Sequence, residues 1–352
     1  MTDNHFIDFG ISIYTGLEQS LEDNLSSISL ASKLGAKYLF TSLHIPEAND
    51  GAMRAELCNV MGAAHANGLT VIGDVTPDTI DDNHFIDIAR LDDGFTCPDI
   101  ASLCASASFR RISINASSVN EDSLRELKSC GADFSRIIAV HNFYPRENTG
   151  LDDNFFIAQN SLLSRYGIKI GAFIPSMSHP RGPLRCGLPT LESHRHQSVD
   201  CCARLMAALG IDLVIIGDPM PSEDEIKSLS KVEKDTVIIK ATLLTKSEPI
   251  KKLLAHTFTS RPDTARDVTR ASESRLIVRN ERIDIPPENT IERKRGAITL
   301  DNNNYPRYTG ELEIIKNPLK SDERVNVVAE IPEDEMSMID LIEPRKRFKF
   351  IF

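Results

Sequence analysis

The sequence predicts a (β/α)8 barrel of the TIM type followed by a smaller, mostly β domain, and three observations carry that prediction. A short apolar run, a polar cluster at its end and an amphipathic stretch recur eight times within about the first 230 residues, the usual length of such a barrel. The first strand-to-helix turn, Tyr14-Thr15-Gly16-Leu17-Glu18, lacks the glycine-rich phosphate loop that a doubly wound sheet would carry. After about Lys231 the rhythm changes to strands and turns with one good helix. The barrel is accordingly expected at residues 1–233 and the β domain at residues 234–352.

Taken in order, strand one is predicted at residues 9–14, with a helix at 21–34 that Gly35 ends. Strand two covers 38–43, and the helix at 53–66 stops at Asn67-Gly68. Strand three, 69–74, ends in Asp74. The stretch 83–89 is the least regular, and strand four at 88–91 runs into Asp92-Asp93-Gly94-Phe95. Strand five is 110–115 with a helix at 120–130. Strand six, 136–140, drives into the densest polar loop of the chain, His141-Asn142-Phe143-Tyr144-Pro145-Arg146-Glu147-Asn148-Thr149-Gly150. A helix at 152–166 follows, then strand seven at 169–175 and a long Pro- and Gly-containing loop at 176–189. A helix at 194–209 leads to strand eight at 213–218, and Ser222-Glu223-Asp224-Glu225 opens the last helix with acids at its positive end. In the second domain strands are expected at 236–244, 275–278, 296–300, 310–315, 325–331 and 347–352, with a helix at 246–256 and a loop at 262–274.

Composition narrows the function. A hydrophobic content of 41% supports a large core and excludes a disordered chain. A formal net charge of −11 argues against a nucleic-acid partner, which needs a basic surface, but not against a small phosphorylated ligand. The seven cysteines show no CxxC spacing, which fits reduced thiols in a cytoplasm and gives no zinc site. The N-terminus has no basic-then-apolar leader, and no apolar run nears the ~20 residues of a membrane helix, so a cytoplasmic protein without a membrane partner is expected.

In a barrel the chemistry sits at the C-terminal ends of the strands. Asp74 ends strand three, Arg90 and Asp92 end strand four, Asn115 ends strand five, and His141 and Asn142 end strand six. Two inward carboxylates on adjacent strands suit paired acid and base work, so Asp74 and Asp92 are the expected catalytic pair. Arg90, two residues from Asp92, is expected to hold that carboxylate ionised. The competing reading makes each aspartate a helix cap. Glu192, in the first turn of the helix at 194–209, is a reserve acid whose simpler role is to complement the helix dipole. Arg90, Asn115, His141, Asn142 and Tyr144 are expected to bind substrate. Arg181, Arg185 and Arg195 around the long seventh loop are expected to grip phosphate. A metal set would draw on His44, Glu47, Asp74, His141, His194 and His196. Because His194 and His196 do not share a helix face and no HExxH spacing occurs, neither metal nor cofactor is expected.

These words, in this order, resemble a known family. His141-Asn142-Phe143-Tyr144-Pro145 with Thr149-Gly150-Leu151, Arg90-Leu91-Asp92-Asp93-Gly94-Phe95, Ala172-Phe173-Ile174 and Gly187-Leu188-Pro189-Thr190-Leu191-Glu192-Ser193-His194-Arg195 are similar to the bacterial 6-phospho-N-acetylmuramidases. The likeness continues through Arg295 to Asn302 and Tyr305 to Glu311, with Leu300 and Asp93 as mild departures. The resemblance implies a TIM-like barrel and a cyclophilin-like β domain. It also implies a glycosidase of peptidoglycan recycling that cleaves the β-1,4 bond of N-acetylmuramic acid 6-phosphate–N-acetylglucosamine, a small phosphorylated disaccharide. Two other classes stay open on the residues alone: a metal-dependent barrel lyase or isomerase of a sugar phosphate, and a non-catalytic carbohydrate-binding protein. The sequence also leaves a homo-oligomer open.

Overall fold

Eight parallel strands close into a barrel in simple sequence order in the computed structural model, which describes residues 5–42, 51–80 and 85–352. The strands are β1 (Asp8–Ser12), β2 (Tyr38–Ser42), β3 (Thr70–Val75), β4 (Ile88–Leu91), β5 (Arg111–Asn115), β6 (Ile137–Val140), β7 (Lys169–Ile174) and β8 (Leu213–Ile216), with β8 pairing back onto β1. The predicted barrel is therefore present. Its strands read as nearly continuous apolar runs because helices cover the outer face while side chains fill the interior.

The helices on the outside are α1 (Leu21–Lys33), α2 (Gly51–Ala66), α3 (Cys97–Ala105), α4 (Glu121–Ser129), α5 (Asp153–Arg165), α6 (Val199–Ala208) and α7 (Glu223–Leu229). Local signals set their starts. Ser20, Thr96, Asn120 and Ser222 each close a capping box with the residue three positions on. Two details differ from the sequence reading. The stretch expected as one helix at 194–209 splits into a 3-10 turn, Glu192–His194, and α6, which begins only at Val199. The helix α3, begun by Thr96 and Pro98, was not anticipated.

One compact unit comprises Met1–Met206 and Ile211–Val232; the other comprises Glu233–Phe352 with Ala207–Gly210. The second unit holds a five-stranded antiparallel sheet and a three-stranded sheet. In the first, β10 (Thr242–Leu243), β15 (Val325–Glu330), β13 (Ala297–Asp301), β14 (Leu312–Ile315) and β12 (Val268–Arg270) lie side by side in that order. In the second, β11 (Thr257–Thr259) pairs antiparallel with β16 (Arg347–Ile351), which runs parallel to β9 (Thr236–Lys240). Helix α8 (Glu248–Leu254) lies where a helix was expected, and α10 is the short Ser337–Asp340. The segment read as a strand at 275–278 is instead helix α9 (Ser274–Glu281). Its Val278 is buried and its Leu276 exposed, so burial of one face outweighs the strand preference of an Ile-Val pair. The expected loop at 262–274 also contains β12.

Candidate active site

The polar layer at the barrel mouth follows from strand parity. Phe40, Ile72, Ile88, Ile138, Val140, Phe173, Leu213 and Ile215 pack together inside the barrel. Alternate residues of a strand share a face, so Ser42, Asp74, Arg90 and Asn142 continue those inward rows at the C-terminal ends. The register confirms the layer, with Ser42 opposite Asp74, Asp74 opposite Arg90, and Arg90 opposite Ser113, two residues before Asn115.

Arg90 joins these groups. Its Nη1 donates to Asp74 Oδ1 at 2.7 Å, and its Nη2 makes a short hydrogen bond to Asn142 Oδ1. An arginine only donates, so the Asn142 oxygen must face it and the amide nitrogen points the other way. Both Asp74 and Arg90 are buried. Burial is the larger influence on Asp74 and lifts its carboxyl above the ordinary range, while Arg90 and the Ser42 hydroxyl pull it down and the charge of Asp92 adds to the rise. The layer thus holds a carboxyl biased towards its protonated form beside a fixed guanidinium.

Asp92 departs from the expectation. It is exposed at the rim, its backbone N–H donates to Val75, and Arg90 makes its ion pair with Asp74 instead. Asp92 is not the cap of the helix that follows β4, since Thr96 takes that position. Asn115 is half-buried, and its Oδ1 accepts the Ser117 N–H at 2.9 Å, closing its own turn.

His141 points away from the mouth. It is fully buried, with its ring 4.6 Å from that of Phe156, Nε2 2.8 Å from Asn160 Oδ1 and Nδ1 3.1 Å from Ser117 Oγ. With both ring nitrogens engaged under α5, it is not placed to touch a sugar. Burial holds its pKa down at about 4, so the ring is neutral at pH 7. The neutral ring steadies Ser117, whose Oγ accepts the Asn142 N–H at 3.0 Å. His141 therefore positions Asn142 through Ser117, and of the two residues Asn142 is the one that faces the mouth.

Glu192 and Arg195 are likewise structural braces. The buried Arg195 donates from Nε and Nη2 to both Glu192 oxygens at 2.6 Å, and to the carbonyls of Tyr144, Arg146, Cys186 and Gly187. Glu192 in turn accepts the N–H groups of Asn148 and Gly150 at 2.9 and 2.7 Å. A side chain at Gly150 would stand 2.6 Å from the Glu192 backbone nitrogen, so the approach requires glycine. Hydrogen bonds from Arg195 pull the Glu192 carboxyl down to about 2. Such a group is not an acid reservoir at neutral pH, and Arg195 has no donors facing a phosphate. Arg185 pairs with Glu18 at 2.8 Å, on the surface. Tyr144 is half-buried in the loop, with its backbone N–H on Pro189.

The other half of the mouth is aromatic. Rings of Tyr14, Phe40, Phe143 and Phe173 meet edge to face, with centroids 4.9 to 6.4 Å apart. The Tyr14 hydroxyl donates to the Gly217 carbonyl at 2.8 Å, and burial keeps this phenol protonated. Over these rings lies the half-buried Arg181 guanidinium, 4.5 Å from the Tyr14 centroid and 5.1 Å from that of Phe143. Asp218, fully buried after β8, accepts the N–H groups of Ser176, Arg181 and Leu188 and so holds the long loop that carries Arg181. Tyr14 and Phe143 stand just beyond the ends of β1 and β6, but apolar residues at a strand end do not by themselves mark a site in the sequence.

Two family models match the chain. The N-terminal domain of 6-phospho-N-acetylmuramidases covers residues 9–231 and the C-terminal domain covers residues 237–351. The chain belongs to the 6-phospho-N-acetylmuramidase family. Among solved structures, an uncharacterised Bacillus cereus protein is 30% identical over 99% of this chain and 100% of its own, with a TM-score of 0.88. A conserved Enterococcus faecalis protein of unknown function is 31% identical over 98% of this chain and 96% of its own, with a TM-score of 0.69. No curated protein matches.

In this 6-phospho-N-acetylmuramidase family member the mouth therefore brings together Asp74, Arg90 and Asn142, with Asp92 and Asn115 at the rim and Arg181 over the aromatic floor. His141, Glu192 and Arg195 lie behind that surface and support it. Among the described residues no three His, Cys, Asp or Glu side chains are grouped to hold a metal ion. His44 and Glu47, named for a metal set, lie outside the described residues. No helix among the described residues is long and apolar enough to cross a membrane.

Proposed function

We propose that this chain is a cytoplasmic glycosidase that hydrolyses the β-1,4 bond between N-acetylmuramic acid 6-phosphate and N-acetylglucosamine during peptidoglycan recycling. The observation that carries the reading is Asp74, a buried carboxyl lifted above its ordinary range at the mouth of a barrel from this family. Glycoside cleavage needs a carboxylic acid still protonated near neutral pH to donate to the departing oxygen, and a carboxylate opposite it. Asp74 fits the donor, and Asp92, exposed at the rim, fits the carboxylate. Asn142 has its amide nitrogen turned away from Arg90, free to bond a sugar hydroxyl or the acetamido oxygen. Arg181 lies over a surface that suits the apolar face of a pyranose, and its guanidinium suits the 6-phosphate.

Incubation of the full chain with the phosphorylated disaccharide tests the reading. Release of N-acetylglucosamine that Asp74→Asn abolishes supports it; equal release by the variant removes Asp74 from the chemistry.

A further inference from the structure

A cavity of about 380 Å³ in the C-terminal unit lies between α9 and the turn at residues 305–309. Four arginines line it, Arg275, Arg279, Arg282 and Arg307, against one acid, Asp284. This is a concentration of positive charge in a chain whose net charge is −11. Among the described residues Arg279, Arg282 and Arg307 make no ion pair, and Asp284 accepts from Asn303 at 2.8 Å. Like charges gathered in one concavity repel, and the arrangement becomes favourable when an anion enters.

The pocket is also built, not merely lined. Arg275 Nη2 donates to the Arg307 carbonyl at 2.6 Å, and its Nη1 lies 3.4 Å from Glu311. The Tyr308 ring stands 5.7 Å from the Arg275 guanidinium and 5.9 Å from that of Arg307. Gly310, at φ +86°, lets the turn close on the helix; a side chain there would stand 2.9 Å from Val278 Cβ. Arg282 ends α9 at φ 54°, a left-handed position that glycine usually takes. The helix dipole rationalises cations in the last turn of α9, but not Arg275 in its first turn or Arg307 on another segment.

We infer that this pocket binds a small anion carrying phosphate, through residues of the C-terminal unit alone. Planar guanidiniums match phosphate oxygens in pairs, and the volume suits a metabolite-sized ligand. The inference is independent of the activity proposed for the barrel.

Calorimetric titration of the full chain with inorganic pyrophosphate tests it. Arg279→Gln/Arg282→Gln/Arg307→Gln is expected to weaken binding by about tenfold or more, while Arg181→Gln in the barrel changes it by less than about twofold. A single Arg282→Gly, which relieves the left-handed position, is expected to weaken binding by about threefold and keeps the test valid if the triple variant folds poorly. Absence of binding to the parent chain at millimolar pyrophosphate overturns the inference. So does equal affinity in parent, triple and Arg282→Gly variants, or a loss caused by Arg181→Gln alone.

Discussion

Arg90 Nη1 on β4 lies 2.7 Å from Asp74 Oδ1 on β3, and the same guanidinium reaches Asn142 beyond β6. One side chain therefore orients an acid and an amide whose backbones are three strands apart. It also places a charge beside a buried carboxyl without outweighing the effect of burial on that carboxyl.

Replacing Asp74 by Asn keeps the shape and an acceptor for Arg90 but removes the transferable proton. The expected loss in kcat is about 10²- to 10⁴-fold, the range of general acid catalysis, with little change in far-ultraviolet circular dichroism. A variant with full turnover would show that the proton comes from elsewhere.

Arg90→Met removes a group that lowers the buried Asp74 carboxyl, so burial lifts that carboxyl further and keeping it in the fold at pH 7 costs about 1–3 kcal/mol more. Urea unfolding at pH 7 is the measurement. The double variant with Asp74→Asn is expected to recover part of that loss, because an amide has no charged form for burial to disfavour. Additive losses would mean that the two groups are not coupled.

The barrel, its mouth and the trio Asp74, Arg90 and Asn142 were legible because apolar runs mark strands and polar residues at their ends mark the mouth. Facing was harder to read. Val140 belongs to the interior, so Asn142 faces in and His141 faces out, and that parity separates a site residue from a support. Glu192 and Arg195 stand at i and i+3, an ion-pair spacing visible in the sequence, but the carbonyls that Arg195 gathers come from two loops brought together only by the fold. Arg90 had two carboxylates within reach in the sequence, and the choice of Asp74 depends on the register of β3 against β4. The residues at 275–278 misled because their β-branched side chains favour strands, while one-sided burial made them a helix.

Stability should depend on pH through two buried histidines. Burial lowers both His141 and His194 to about 4, below the ordinary 6.5. A group depressed on folding contributes stability that is complete above its unfolded pKa, so this contribution is present above about pH 6.5 and lost as pH falls towards 4. Each accounts for up to about 3 kcal/mol across that window. Among the described residues the His194 Nδ1 has no hydrogen-bond partner, so His194→Leu should flatten the fall without a large penalty at pH 7. An unchanged pH profile in this variant would contradict the assignment.

Glu192→Gln loosens the loop that carries Asn142 by taking the charge from a carboxylate that holds Arg195 and two backbone N–H groups. The expected cost is about 2 kcal/mol at pH 7, read from chemical unfolding. The parent carboxyl, depressed to about 2, contributes stability present above about pH 4.5 and lost as pH falls towards 2, and the variant should lack that acid limb. If Glu192 were the catalytic acid instead, kcat would collapse while stability stayed unchanged.

The most direct test of the central claim is the pH dependence of hydrolysis of N-acetylmuramic acid 6-phosphate–N-acetylglucosamine, followed as released N-acetylglucosamine in the parent chain and in Asp74→Asn. A buried Asp74 serving as the proton donor predicts turnover by the parent, with a rate that declines as pH rises through the pKa of Asp74, and near-complete loss in the variant. No release from this disaccharide, or the same rate and pH profile in both proteins, would contradict the account.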